Sequence, residues 1–149
     1  MLFRSGVLKS THFDEEHSLL VLQFDGVYTG AEAQRALTEF VRSRNILSNH
    51  VLIDARTVAS ADMTDSDGAL MEHFIRSLPF SREQVRSTRY VVLLAVDANK
   101  SVVERVRKVG QLARLFTQWR VLTSTNNPDD DWMQVLSALD LPSSIARPY

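Results

Sequence analysis

The sequence predicts an α/β protein, a mixed sheet with helices packed on it, and three observations carry that expectation. Apolar runs of strand length alternate with stretches of helical period from about Ser18 to Leu139. The run Tyr90 to Val96 (YVVLLAV) is β-branched and uninterrupted, as a central strand covered on both faces requires. Two extended segments at the start are separated by an acidic turn, and the hairpin they form makes an otherwise parallel sheet mixed.

Each element has its own signal. Ser5 to Phe13 alternates, Ser18 to Phe24 (SLLVLQF) is continuously apolar, and Asp14, Glu15 and Glu16 form the turn between them. At Thr29 the period changes: Thr29 and Glu32 make a capping-box pattern, and Ala33, Leu37, Phe40 and Val41 recur at helical spacing to about Arg44. Val51, Leu52 and Ile53 read as a short buried strand that ends abruptly at Asp54 and Arg56. A second helix is expected over about Ser66 to Leu78, burying Leu70, Phe74 and Leu78. Pro79 ends it, and Phe80 to Arg86 reads as a connection. After the Tyr90 strand, Asp97 or Asn99 caps a third helix that runs to about Gln118, with Val102, Val106, Val109, Ala113 and Phe116 facing the core. Trp119 to Thr123 (WRVLT) is the last strand. Asn127 and Pro128 then open a final helix, with Asp129, Asp130 and Asp131 where its dipole favours acids and with Trp132, Val135, Leu136 and Leu139 docking it. The order is β-β-α-β-α-β-α-β-α.

Size and composition narrow the function classes. At 149 residues the chain is one domain, residues 1–149, able to remove roughly 70% of its unfolded surface from water. An apolar fraction of 44% with 23% charged residues is that of a globular protein. A net charge of -1 supplies no field toward nucleic acid. With no cysteine, thiolate catalysis, thiolate metal sites and disulfides are all excluded. His12, His17, His50 and His73 lie on separate elements, so neither a metal nor any other cofactor is expected. The opening MLFRSGVLKSTHF lacks a signal-peptide core, and Tyr90 to Val96 is the longest apolar run, so a cytoplasmic chain without an integral membrane segment is expected. No phosphate-binding glycine loop and no nucleophile elbow occurs.

The stretch Val51 to Leu70 (VLIDARTVASADMTDSDGAL) is the candidate functional edge, because open α/β sheets meet ligands outside the carboxyl ends of their strands. Asp54, Arg56, Asp62 and Asp97 are its binding-edge candidates. The carboxylates can be read as a divalent-cation or acid/base group, or Asp54 simply pairs with Arg56 or accepts amides from the next turn while Asp97 caps a helix. Ser66, with Thr64 second, is the phosphorylation candidate at the start of the second helix, against plain capping by the same hydroxyls. On the third helix Lys100, Arg107, Gln111, Arg114 and Gln118 form an outer stripe without interleaved aromatics, which argues against nucleic acid, and Glu104 is placed to pair with Lys100 and Lys108. Leu112 and Leu115 fall beside that stripe and off the core arc; with Arg107, Gln111 and Arg114 they make the candidate interface of a homodimer. Met63, Met71, Phe74 and Phe80 around the second helix are candidates for an adaptable apolar pocket, or else core.

The element order, the strand ending in LIDAR and the run from Tyr90 through Asp97 to LARLF resemble the SpoIIAA-like superfamily of STAS domains, and within it small bacterial STAS or lipid-transfer-like proteins. The resemblance spans roughly Ser18 to Leu139. It implies a SpoIIAA-like five-stranded sheet, a homodimer and no established enzymatic activity, so the chain is not expected to be an enzyme. Anti-sigma-factor antagonists of that superfamily carry a phosphorylatable serine in a D-S-S-G type turn. Counting from LIDARTV, that offset falls here on Asp62 and Met63, and the similar Asp65-Ser66-Asp67-Gly68 lies three residues later. The expectation is a non-catalytic regulatory or protein-binding module. The alternatives are a carrier of a small apolar ligand or lipid and, behind both, a phospho-switched antagonist.

Overall fold

A computed structural model describes residues 6–62, 65–113 and 118–149, with side chains for all of these except 6, 7, 27–30 and 58–62. The elements are β1 (Gly6–Asp14), β2 (Leu19–Thr29), α1 (Gly30–Arg44), β3 (His50–Asp62), α2 (Asp65–Ser77), α3 (Arg82–Ser87), β4 (Arg89–Leu94), α4 (Lys100–Leu112), β5 (Trp119–Thr123) and α5 (Pro128–Ala138). The five strands form one sheet in the order β1-β2-β3-β4-β5. β1 runs antiparallel to β2, and β2 to β5 are parallel. The chain is therefore an α/β protein with a mixed sheet, as its sequence predicts.

The strand order explains where the helices go. When each parallel strand is laid beside the last by crossovers of one hand, every connecting helix lands on the same side. Accordingly α1, α2 and α4 share one core with Leu20, Leu22, Val51, Ile53, Val92 and Leu94. The last helix, α5, which follows the last strand, covers the other face, where Leu19, Val21, Leu52, Val91 and Leu93 meet Trp132, Val135, Leu136 and Leu139. Neighbouring strand residues thus feed opposite cores, the period of two expected of a sheet buried on both sides.

Two close approaches position α4. A methyl at Gly110 would stand 2.1 Å from Trp119 Cδ1, so the glycine lets β5 pack directly on the helix, and Trp119 Nε1 donates to the Val106 carbonyl (3.1 Å). At Gly68 a methyl would meet Leu112 Cβ at 2.5 Å. Leu112, a candidate for the subunit contact, packs against Gly68 of α2 with part of its surface still exposed.

Several boundaries differ from expectation for identifiable reasons. β3 does not stop at Asp54; it continues beside β2 to Asp62, because Asp54 and Arg56 are satisfied on the α5 face and need no solvent. The connection expected over Phe80 to Arg86 contains α3, held by a capping box in which Ser81 accepts from the Gln84 amide and Gln84 from the Ser81 amide. The buried face of α2 is Gly68, Met71 and Phe74. Leu70 lies about 200° around the helix from Gly68 at about 100° per residue, and is 43% exposed. Asn99, not Asp97, caps α4 through the Val102 amide (2.9 Å). Trp119 and Trp132 belong to opposite cores. Among the described residues no helix is long and apolar enough to cross a membrane.

Candidate functional site

The C-terminal half of the α5 face is polar. Asp54 and Arg56 alternate with Leu52 along β3, so both side chains face α5, and the chain after α5 folds back over them. Asp54 is buried, and its Oδ1 accepts from the Arg56 amide (3.1 Å) and Nε (3.0 Å). Its Oδ2 accepts from Arg56 Nη2 (2.8 Å) and from the Tyr149 hydroxyl. Arg56 Nη1 reaches Asp131 Oδ2 at 3.3 Å. Asp131, also buried, accepts from Ser124 Oγ (2.6 Å), the Thr125 amide (2.7 Å) and Thr125 Oγ1 (2.9 Å). One guanidinium is thus forked between two buried carboxylates that also accept from three hydroxyls and two amides. That is the condition under which buried charge is tolerated.

The electrostatics follow from these contacts. The hydrogen bonds that Arg56 donates to Asp54 hold the guanidinium proton more tightly than usual. Burial works against the charge of Asp131, but hydrogen bonds from Ser124, Thr125 and Arg56 together outweigh it and hold its carboxyl below the usual range. Burial, and then the negative charge of Asp54, push the Tyr149 hydroxyl above its ordinary range. Tyr149 therefore donates to Asp54 as a neutral phenol, and its ring lies 5.4 Å from that of His12 on β1.

Among the described residues, the binding-edge candidates that meet are Asp54 and Arg56. Asp97 is exposed in the turn after β4 and, among the described residues, bonds to neither Asp54 nor Asp131. Asp62 ends β3, and its side chain lies outside the described residues, as do Met63, Thr64, Arg114 and Leu115 altogether. Ser66 is exposed in the first turn of α2, beside Asp65, which pairs with Lys108 of α4 (3.2 Å). Arg107 pairs with Glu104 (2.7 Å), and Gln111 is exposed. Glu104 thus takes Arg107 rather than Lys100 or Lys108, since the latter is drawn across to α2. Met71 and Phe74 are buried in the core instead of lining a pocket. A turn formed by Asp14, Glu16 and His17 brings three metal-type ligand atoms within 4.8 Å, but His17 Nδ1 is already held by Asp14 (2.9 Å).

A second hollow lies on the other side of the sheet. It has a volume of about 480 Å³ between the end of α2, α3 and the end of α4. Ile75, Leu78, Phe80, Val85 and Ala113 line it, and of these Phe80 was a candidate for an apolar pocket. Arginines from α2 and α3 stand at its edge.

Sequence reasoning missed Asp131, Tyr149 and the α3 residues. Asp131 was legible: it precedes Val135 and Leu139 by four and eight residues, so it shares their buried face, whereas Asp129 and Asp130 are the exposed dipole partners. For α3 the signal was Ser81 and Gln84 at capping-box spacing, with Phe80 and Val85 in the flanking staple positions. Fold and site together define a five-stranded mixed α/β domain in which Arg56 is shared between two buried carboxylates. Compared with known proteins, the chain matches no family model and no curated relative.

Proposed function

We propose that this chain is a non-catalytic regulatory or protein-binding module of SpoIIAA-like fold, working in the cytoplasm as a homodimer. The observation that carries the reading is the closure of the strand-end site. Each oxygen of Asp54 and Asp131 accepts a bond from within the chain, so the acids and the arginine most suited to chemistry act as a clasp between β3, α5 and the chain end. The groups turned outward lie instead on α2 and α4: Ser66, Leu70, Arg107, Gln111 and the free side of Leu112. A mixed apolar and charged surface of that kind suits contact with a second protein chain. Sedimentation equilibrium at micromolar concentration tests it: the wild type is expected at twice the chain mass and Leu70→Glu at the chain mass. A monomeric wild type would remove the dimer from the reading.

A second reading, a carrier of a small apolar ligand, is favoured by the 480 Å³ cavity beside α3, which falls within the range of about 300–1,000 Å³ typical of small-molecule sites. Native mass spectrometry of protein purified from its host separates the two. A mass equal to that of the bare chain after gentle ionisation counts against the carrier.

A further inference from the structure

The cavity beside α3 is not uniformly apolar, and its asymmetry specifies a ligand. Its floor is Ile75 and Leu78 from the end of α2, Phe80 before the Ser81 cap, the buried Val85 of α3 and Ala113 closing α4. The rim carries Arg76, Arg82 and Arg86 against a single acid, Glu72. Glu72 is committed to Arg76 at 2.7 Å. Arg82 and Arg86 are exposed and, among the described residues, neither guanidinium has a carboxylate partner. They stand four residues apart on α3, hence on one face of the helix and beside each other at the cavity mouth. Gln118 Nε2 donates to the Arg86 carbonyl (2.6 Å), which ties the start of β5 to the end of α3 and fixes that side of the mouth.

We infer that this cavity binds a single-chain amphiphile with an anionic head, its chain over Phe80, Val85 and Leu78 and its carboxylate or phosphate between Arg82 and Arg86. The inference rests on the carrier reading and deepens it. Charge complementarity selects the head: a pair of guanidiniums can fork onto an oxyanion, whereas an ammonium would be repelled and a neutral alcohol would leave both arginines as they are. Size selects the tail. At about 30 Å³ per water-sized group, the space takes on the order of 16 such groups, which suits one alkyl chain. The arginines contribute recognition at the rim and the apolar floor contributes desolvation, the usual division in small-molecule sites.

Calorimetric titration of the full chain with decanoate, decyl phosphate, decanol and decyltrimethylammonium, each below its micelle concentration, tests the inference. Decanoate or decyl phosphate is expected to bind once per chain, and the tighter of the two identifies a carboxylate or a phosphate head. Arg82→Glu with Arg86→Glu should weaken that anion by about tenfold or more while leaving decanol unchanged. Both positions are exposed, so the double variant should melt within about 2 °C of wild type. Equal binding of the anion by the double variant overturns the inference. Binding of decanol or the ammonium but of neither anion overturns the anionic head and keeps the carrier. No binding of any of the four overturns both.

Discussion

The two faces of the sheet draw on the same strands and end differently. On the α5 face, strand residues give way toward their carboxyl ends to Asp54, Arg56 and Ser124, and these are locked to Asp131 and Tyr149. On the face carrying α1, α2 and α4, the core residues are apolar, and the helices leave an open cavity where α2 turns into α3. Polar residues at strand ends are therefore not by themselves a ligand site. Charges that face each other over a short gap are consumed in holding the fold. Charges at the mouth of an apolar hollow remain available.

Breaking the clasp should cost the most stability. Arg56→Met leaves Asp54 and Asp131 buried without their counter-charge, and urea unfolding should register a loss of about 3–5 kcal/mol. A loss under about 1 kcal/mol would mean that solvent reaches the carboxylates. Asp131→Asn removes a charged acceptor and should cost about 1.5–3 kcal/mol at neutral pH. It should also flatten the acid limb. Because the folded carboxyl of Asp131 is held below its unfolded value, near 3.9, its stabilisation is fully present above that pH and is lost as pH falls through the lower folded value. Asp14, lowered by its hydrogen bond from His17, acts in the same direction. At the alkaline end, Tyr90 and Tyr149 are raised by burial, so their share is present below about pH 10 and fades above it.

On the opposite face, Gly110→Ala would drive a methyl into Trp119 and should cost about 1–3 kcal/mol, seen as a lower urea midpoint at unchanged slope. Tyr149→Phe should be smallest, about 1 kcal/mol, because Asp54 keeps its bonds from Arg56. A larger loss would make the chain end a principal support of the clasp, and no loss would make it a bystander.

Much of this molecule was legible in its residues, and the exceptions share a cause. YVVLLAV became β4 inside the sheet, and Asn127-Pro128 opened α5 as its capping chemistry requires. Those signals are local. Asp54 and Arg56 looked like the end of a strand because isolated charges belong in water. Their partners Asp131 and Tyr149 stand 75 residues from Arg56 and 95 from Asp54, beyond the reach of any periodicity. The cavity was misplaced for a related reason. Met71 and Phe74 have the right chemistry but fill the core, while the hollow formed around α3, a helix of six residues too short for a hydrophobic pattern to reveal. Its capping box was the remaining clue.

The separation of duties between the faces is tested most directly by thermal melts of wild type, Tyr149→Phe and Arg82→Glu/Arg86→Glu, each with and without decanoate. Decanoate should raise the Tm of wild type and of Tyr149→Phe alike. It should raise the Tm of the double arginine variant much less, although that variant melts with wild type when no ligand is present. An equal shift in the double variant, or the loss of the shift in Tyr149→Phe, would contradict this division.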